Sequence, residues 1–212
     1  MTDERRQVVA RAYDRIADRY ITWSATVDDV ARERMVAEFA ARLADGADVL
    51  DLGCGAGVPS TRDLAKRFRV VGVDASPRQV ELARHNVPDG EFYVADMAEL
   101  EVAEASFDGV AALYSISHLP REHHADLFAK IHRWLTLGGL FLATLGATDG
   151  PDWTGPWLGE EMFFSSHDAD ENRKLLRAAG FELDVDEVAT TPEPEGDVSF
   201  LWVIARKPRM PR

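Results

Sequence analysis

Val49-Leu50-Asp51-Leu52-Gly53-Cys54-Gly55-Ala56-Gly57 decides how this chain reads. An apolar run ends in an acid, three glycines follow at every second position, and a helix-like segment comes next. That order reads as strand, tight turn, helix. Glycine permits positive φ and lets a ligand approach without meeting a Cβ. The first turn of the following helix offers unpaired N–H groups that suit a carboxylate or phosphate. Spacing narrows the choice of ligand. The dinucleotide fingerprint G-x-G-x-x-G needs its third glycine at position 58, which is Val58. No Gly-Lys-Ser/Thr follows, so a P-loop is excluded.

Outward from that turn the chain alternates. Residues 47–52, 70–74, 91–95, 107–115 and 140–145 read as strands, and 60–68, 77–86 and 120–135 as helices, the last two opened by Pro77 and Pro120. Alternation of this kind predicts a parallel sheet covered on both faces. The tail departs from it. A helix over 168–179 is followed by strand-like runs at 181–189 and 198–205, joined by about eight residues that hold no helix. A parallel crossover needs a dozen or more, so these two strands must be antiparallel to each other. Ahead of the sheet, Val9, Tyr13, Ile16 and Tyr20 share one face of a helix over 4–20. Val27, Ala31, Met35, Phe39 and Leu43 stripe a second over 27–44, with Thr26 as its cap.

Composition sets outer bounds. The chain has 212 residues, 46% of them hydrophobic, which suits one domain with a helical extension. A formal net charge of −13 repels phosphate backbones and argues against nucleic acid as a partner. The single cysteine, Cys54, allows no internal disulfide and no Cys-ligated iron–sulfur cluster, and it fits a cytoplasmic location. No apolar run approaches the ~20 residues of a membrane span, so no membrane partner is expected. No HxxxH helix is present, and the histidines do not combine with carboxylates at ligand spacing, so no metal is expected.

Asp51-Leu52-Gly53-Cys54-Gly55-Ala56-Gly57 resembles motif I of the class I S-adenosylmethionine-dependent methyltransferases. Gly72-Val73-Asp74-Ala75-Ser76 resembles the family's ribose-binding motif after the second strand. A strand-end acid about twenty residues past the glycines has a physical reason, since two carboxylate oxygens can accept both hydroxyls of a ribose. Ala95-Asp96-Met97 matches the adenine-contacting acid, with Met97 against the ring. The resemblance implies an α/β fold: a doubly wound, mostly parallel seven-stranded sheet with an antiparallel last strand, plus an N-terminal helical lid. Residues 1–46 form the cap or lid and 47–212 the methyltransferase domain, packed as one compact unit. It also implies S-adenosylmethionine as cofactor, S-adenosylhomocysteine as product, and in-line transfer of the methyl group.

Site residues follow from the rule that ligands sit outside the carboxyl ends of the strands of an open α/β sheet. Cofactor binding is expected of Tyr20, Asp51, Gly53, Gly55, Gly57, Asp74, Ala75, Asp96, Met97, Tyr114 and Ser115. His118 is the candidate catalytic residue, either as base or as a group that orients the acceptor. His123, His124 and His132 read as solvated helix residues. Acceptor binding is expected of Tyr13 and Trp23 in the lid and of Trp153, Trp157 and Phe164 in a long loop over 147–167, whose length marks it as functional. An aromatic-lined wall suits an aromatic or apolar small molecule, or a cation. The chain lacks an Asn/Asp-Pro-Pro-Tyr tetrapeptide, a paired-glutamate hairpin and the metal pattern of catechol-type enzymes. These absences point to a small metabolite, with the protein a monomer or homodimer. Two other readings stay open: a module that holds S-adenosylmethionine without turnover, and an NAD-dependent oxidoreductase.

Overall fold

The structure is a computed structural model that describes residues 3–194 and 196–209. Two helices come first, α1 (Glu4–Ser24) and α2 (Val30–Arg42). Then β1 (Asp48–Leu52), α3 (Ser60–Ala65), β2 (Arg69–Asp74), α4 (Pro77–Asn86), β3 (Glu91–Val94) and β4 (Phe107–Ala112) alternate. After α5 (His124–Trp134) and β5 (Leu135–Gly146) come β6 (Gly150–Trp157), β7 (Glu160–Ser166), α6 (Ala169–Ala178), β8 (Glu182–Glu193) and β9 (Gly196–Arg206).

Seven strands form one sheet in the order β3-β2-β1-β4-β5-β9-β8. The five strands from β3 to β5 pair in parallel. The last strand, β9, runs antiparallel to both neighbours and lies between β5 and β8. Side chains alternate across the sheet, as the two-residue period of a strand demands. Leu50, Leu52, Val110, Phe141 and Val203 face α5 and α6, where Phe128, Ile131, Trp134 and Leu176 are buried. Val49, Val70, Ala111, Leu142 and Trp202 face the other way, onto Met35 and Phe39 of α2 and Leu64 of α3. α4 covers that same face near Gly72 and Phe92. The sheet order reverses between β1 and β4, which opens a crevice at their carboxyl ends.

Several element bounds differ from the sequence expectation. α1 continues to Ser24, so Trp23 rides on the helix rather than beyond it and Tyr20 is no longer at its end. α2 starts at Val30 with Asp29 as cap, its carboxylate accepting from the Arg32 N–H at 3.0 Å; Thr26 instead closes the end of α1. β4 stops at Ala112, because Tyr114 adopts a φ of 57° and turns the chain out of the sheet. β5 begins at Leu135, directly after α5, with Gly138-Gly139 as an irregularity inside it.

The largest difference is the expected loop 147–167, which is a β-hairpin. β6 and β7 pair antiparallel, closed by Leu158-Gly159 with φ of 47° and 84°. Two positive φ values are the requirement of a type I′ turn. Pro151 and Pro156 conceal these strands in the sequence, since proline is confined to strand edges. β8 and β9 likewise run on to Glu193 and Gly196, well into the expected linker; Glu195 lies outside the described residues.

α1 and α2 are anchored differently. Ile16, Val9 and Ala12 of α1 are buried against Met162 and Phe163 of the hairpin. Phe39 of α2 is fully buried against the sheet and would itself be struck by a Cβ on Gly109. Phe39→Ala is therefore expected to cost about 3–5 kcal/mol of global stability, read as a lowered urea midpoint at unchanged slope; a loss under 1 kcal/mol would show that α2 is not part of the sheet core.

Candidate active site

The glycine turn is held by its neighbours. Gly53 and Cys54 donate their N–H groups to the Val73 carbonyl at 2.8 and 3.0 Å, which ties the end of β1 to the end of β2. Gly53 has φ of 75°, and a Cβ there would sit 2.3 Å from the Ser115 Cβ. Both facts require glycine. Asp74 then fastens the turn: one carboxylate oxygen accepts from Gly55 N–H and the other from Ser76 N–H, each at 2.9 Å. Each oxygen retains a further lone pair for a ligand. Asp51 lines neither cavity described below; Thr61 Oγ1 donates to it at 2.6 Å. Its role in this structure is to fix the turn to α3.

Gly53, Asp74, Ala75, Asp96, Met97 and Ser115 line one small cavity of about 50 Å³. Arg6 and Val9 of α1 form its roof. The Arg6 guanidinium pairs with Asp96 and, at 2.8 Å, with Glu99, while its side chain is only 9% exposed. The second Asp96 oxygen accepts from Ala98 N–H at 3.0 Å. α1 is further held by Asp14, which accepts from Ser76 Oγ at 2.6 Å and Arg78 N at 3.0 Å.

A second cavity of about 460 Å³ lies beside the first. Tyr13, Trp23, Trp153, Trp157 and Phe164 all line it, so the structure brings the five expected acceptor residues together. Their rings form a chain: Tyr20 stacks on Trp23 at 5.9 Å, and Trp157 meets Trp23, Tyr20 and Phe164 edge-on or tilted at 5.6–5.8 Å. Tyr20 and Tyr114 belong to this wall and not to the small cavity. The left-handed turn at Tyr114 explains the split. It sends the Tyr114 ring outward, against Phe200 and Trp202, while Ser115 turns back to donate to the Leu52 carbonyl at 2.7 Å.

His118 lines both cavities. Its Nδ1 lies 2.9 Å from the Phe163 carbonyl oxygen and so carries the proton. Nε2 is then the acceptor, and Tyr13 Oη donates to it at 2.8 Å. Burial pushes the His118 pKa down to about 4, against the smaller opposing effect of the Phe163 carbonyl, so the ring is neutral at pH 7. His124, expected to be solvated, is buried at 2% exposure. It faces the Leu119 carbonyl at 2.9 Å, and burial lowers its pKa to about 4 as well. Among the described residues Asp3, Glu122 and His123 bring ligand-type atoms together, but Arg5 pairs with both acids.

Sequence reasoning missed Arg6, Asp29, Arg32 and the β8–β9 hairpin, of which Thr191, Val198 and Phe200 face the larger cavity. Asp29 carried a readable signal as a helix cap. The hairpin carried none, because its reach to the site depends on sheet order.

Residues 49–139 match the family model described as a methyltransferase domain. The chain is 34% identical over 180 residues to an O-methyltransferase of Penicillium expansum, covering 78% of this chain and 64% of that one. To the trans-aconitate 2-methyltransferase of an Enterobacter species it is 43% identical over 101 residues, 45% of this chain and 39% of that one. The chain thus spans less than two thirds of the length of these curated relatives. Among solved structures, the Burkholderia thailandensis 1,6-didemethyltoxoflavin-N1-methyltransferase with bound 1,6-didemethyltoxoflavin and S-adenosylhomocysteine superposes at TM-score 0.70. It is 27% identical, over 95% of this chain and 88% of that one. The [4+2]-cyclase SpnF shares the fold at TM-score 0.73 and 20% identity, over 94% of this chain and 95% of that one.

Burial also raises the Asp74 pKa from its ordinary 3.8 to about 6, outweighing the two backbone donors. A raised carboxyl favours the folded state most below its unfolded pKa, and that contribution is lost as pH rises through 6. The lowered pKa values of His118 and His124 act oppositely: their contribution is complete above 6.5 and lost as pH falls through 4. Asp74→Asn removes only the first effect. The melting temperature of the variant should fall more, or rise less, than that of the wild type between pH 6.5 and 4; parallel curves would contradict the raised pKa.

Proposed function

We propose that the chain transfers a methyl group from S-adenosylmethionine to a small aromatic molecule, a reading supported by the match of residues 49–139 to a methyltransferase domain and by the sheet order. The observation that carries this reading is His118, which stands on the boundary between the strand-end cradle and the aromatic cavity. A group passing from one ligand to the other must cross there. The donor set suits an adenosyl amino acid: Asp74 for the ribose hydroxyls, Asp96 for the adenine amino group, and a glycine turn that leaves room at β1. Size adds a condition. Pockets for ligands of this kind run to about 300 Å³ or more, so Arg6 and Val9 must move off the cradle.

Bound there, the cofactor supplies a methyl group on a sulfonium, which departs as a neutral thioether. The chain does the rest. Trp157, Phe164 and Tyr13 close over the acceptor and exclude water. Fixed alignment of two reactants is itself a large share of catalysis. Tyr13 Oη stands between the aromatic cavity and the Nε2 lone pair of His118. It is placed to take the proton of an acceptor hydroxyl while passing its own to Nε2, and the Phe163 carbonyl then steadies the imidazolium through Nδ1–H. We place the protein in the cytosol on the strength of its single, buried cysteine. No helix among the described residues is long and apolar enough to cross a membrane.

Calorimetry with S-adenosylmethionine, S-adenosylhomocysteine and NAD, joined to a labelled-methyl assay over a panel of phenols and N-heterocycles, tests the proposal. Binding of both adenosyl compounds and transfer to some members is expected. Asp74→Ala should weaken S-adenosylmethionine by roughly 2–3 kcal/mol through lost charged hydrogen bonds. NAD binding alone would overturn the proposal in favour of an oxidoreductase, and adenosyl binding without any transfer would favour a cofactor-holding module.

A further inference from the structure

The larger cavity is not apolar throughout. Arg32, on the first turn of α2, lies on its wall with Asp29 and Tyr114. The Arg32 side chain is only 16% exposed. Its Nε stands 3.9 Å from Asp29 Oδ2, beyond hydrogen-bond distance. Asp29 is already engaged: one oxygen takes the Arg32 backbone N–H at 3.0 Å and the other the Tyr114 hydroxyl. Among the described residues no oxygen accepts from the Arg32 guanidinium. A guanidinium has five N–H donors, and those of Arg32 stay open to a ligand in the cavity that the residue lines. Arg32 shares the lining of this cavity with a cluster of aromatic rings and with small and polar residues.

Resting on the reading above, we infer that Arg32 determines acceptor specificity by donating to a neutral oxygen, such as a ring carbonyl, on the aromatic molecule that fills this cavity. Charge decides between a neutral oxygen and a carboxylate. Asp29 already balances the Arg32 cation at 3.9 Å. An anionic acceptor would bring a second negative group to one positive group that is already balanced. A carbonyl accepts the same hydrogen bonds without that repulsion. Position supports the role. Arg32 lines only the larger cavity, whereas His118 lines both, so the carbonyl is read apart from the atom that receives the methyl group.

Three probes separate these chemistries: 7-hydroxycoumarin has a phenol and a ring carbonyl, 2-naphthol a phenol alone, and 6-hydroxy-2-naphthoate a phenol and a carboxylate. Each is titrated calorimetrically into the full chain saturated with S-adenosylhomocysteine. The coumarin should bind at least tenfold more tightly than 2-naphthol, and the naphthoate no more tightly than 2-naphthol. Arg32→Met should bring the coumarin to the level of 2-naphthol and leave 2-naphthol within twofold, while Arg32→Lys, which keeps a donor, should restore part of the gap. Equal binding of coumarin and 2-naphthol by the wild type, equal losses for both in Arg32→Met, or tightest binding of the naphthoate would overturn this inference alone. Failure of all three probes to bind would overturn the aromatic acceptor with it, and failure of S-adenosylhomocysteine to bind would overturn the methyltransferase reading itself.

Discussion

Two backbone N–H groups converge on one half-buried carboxylate, Asp74, and the rest of the site is arranged around that fact. Gly55 comes from the turn after β1 and Ser76 from the turn into α4. Joined through Asp74, the two turns form one rigid floor at the sheet's reversal point. The carbonyl of Val73 performs a parallel task one residue earlier, taking two N–H groups of the glycine turn. Positive φ at Gly53 is tolerated because no side chain has to fit against Ser115. The floor is therefore built before any ligand arrives, by hydrogen bonds that already satisfy buried backbone donors.

The roof is a different kind of structure. α1 is held to the floor and to the β6–β7 hairpin by polar contacts at many points, among them Arg6 on Asp96, Asp14 on Ser76, Tyr13 on His118 and Arg15 on Glu160. The Arg15 pair is exposed, and such pairs contribute little each. The apolar seal beneath joins Val9, Ala12 and Ile16 to Met162 and Phe163, and continues through Tyr13 and Tyr20 against Trp157. α2, by contrast, shares the sheet's core through Met35 and Phe39. Although the two helices are neighbours in sequence, only the first belongs to the roof.

Much of this was legible in the chain, and the exceptions share a cause. The strand–turn–helix at 49–57 and the antiparallel close follow from local periodicity, glycine spacing and linker length, while the acids at 74 and 96 follow from their places at strand ends and from the resemblance. The aromatic residues of 147–167 also point to a binding wall, yet the hairpin that carries them was hidden by Pro151 and Pro156 and by a Leu158-Gly159 turn instead of the usual Asn-Gly. Tyr114 was read with Ser115, but a single left-handed residue sends the two side chains to different cavities, and no sequence pattern announces a left-handed tyrosine. Arg6 and Arg32 were invisible for a plainer reason. An arginine on a helix is ordinarily solvated, and only the tertiary arrangement sets these two over a carboxylate and beside a cavity.

In the proposed reading, the guanidinium of Arg6, which pairs with Asp96, and a cofactor's adenine amino group would compete for that same acid. A crystal structure grown with saturating S-adenosylhomocysteine tests this most directly. It should show the adenosine between Asp74 and Asp96, its ribose hydroxyls on Asp74, and Arg6 displaced from Asp96 with the N-terminal turn of α1 moved outward. A cradle still closed under Arg6, or an adenosine bound elsewhere, would contradict it.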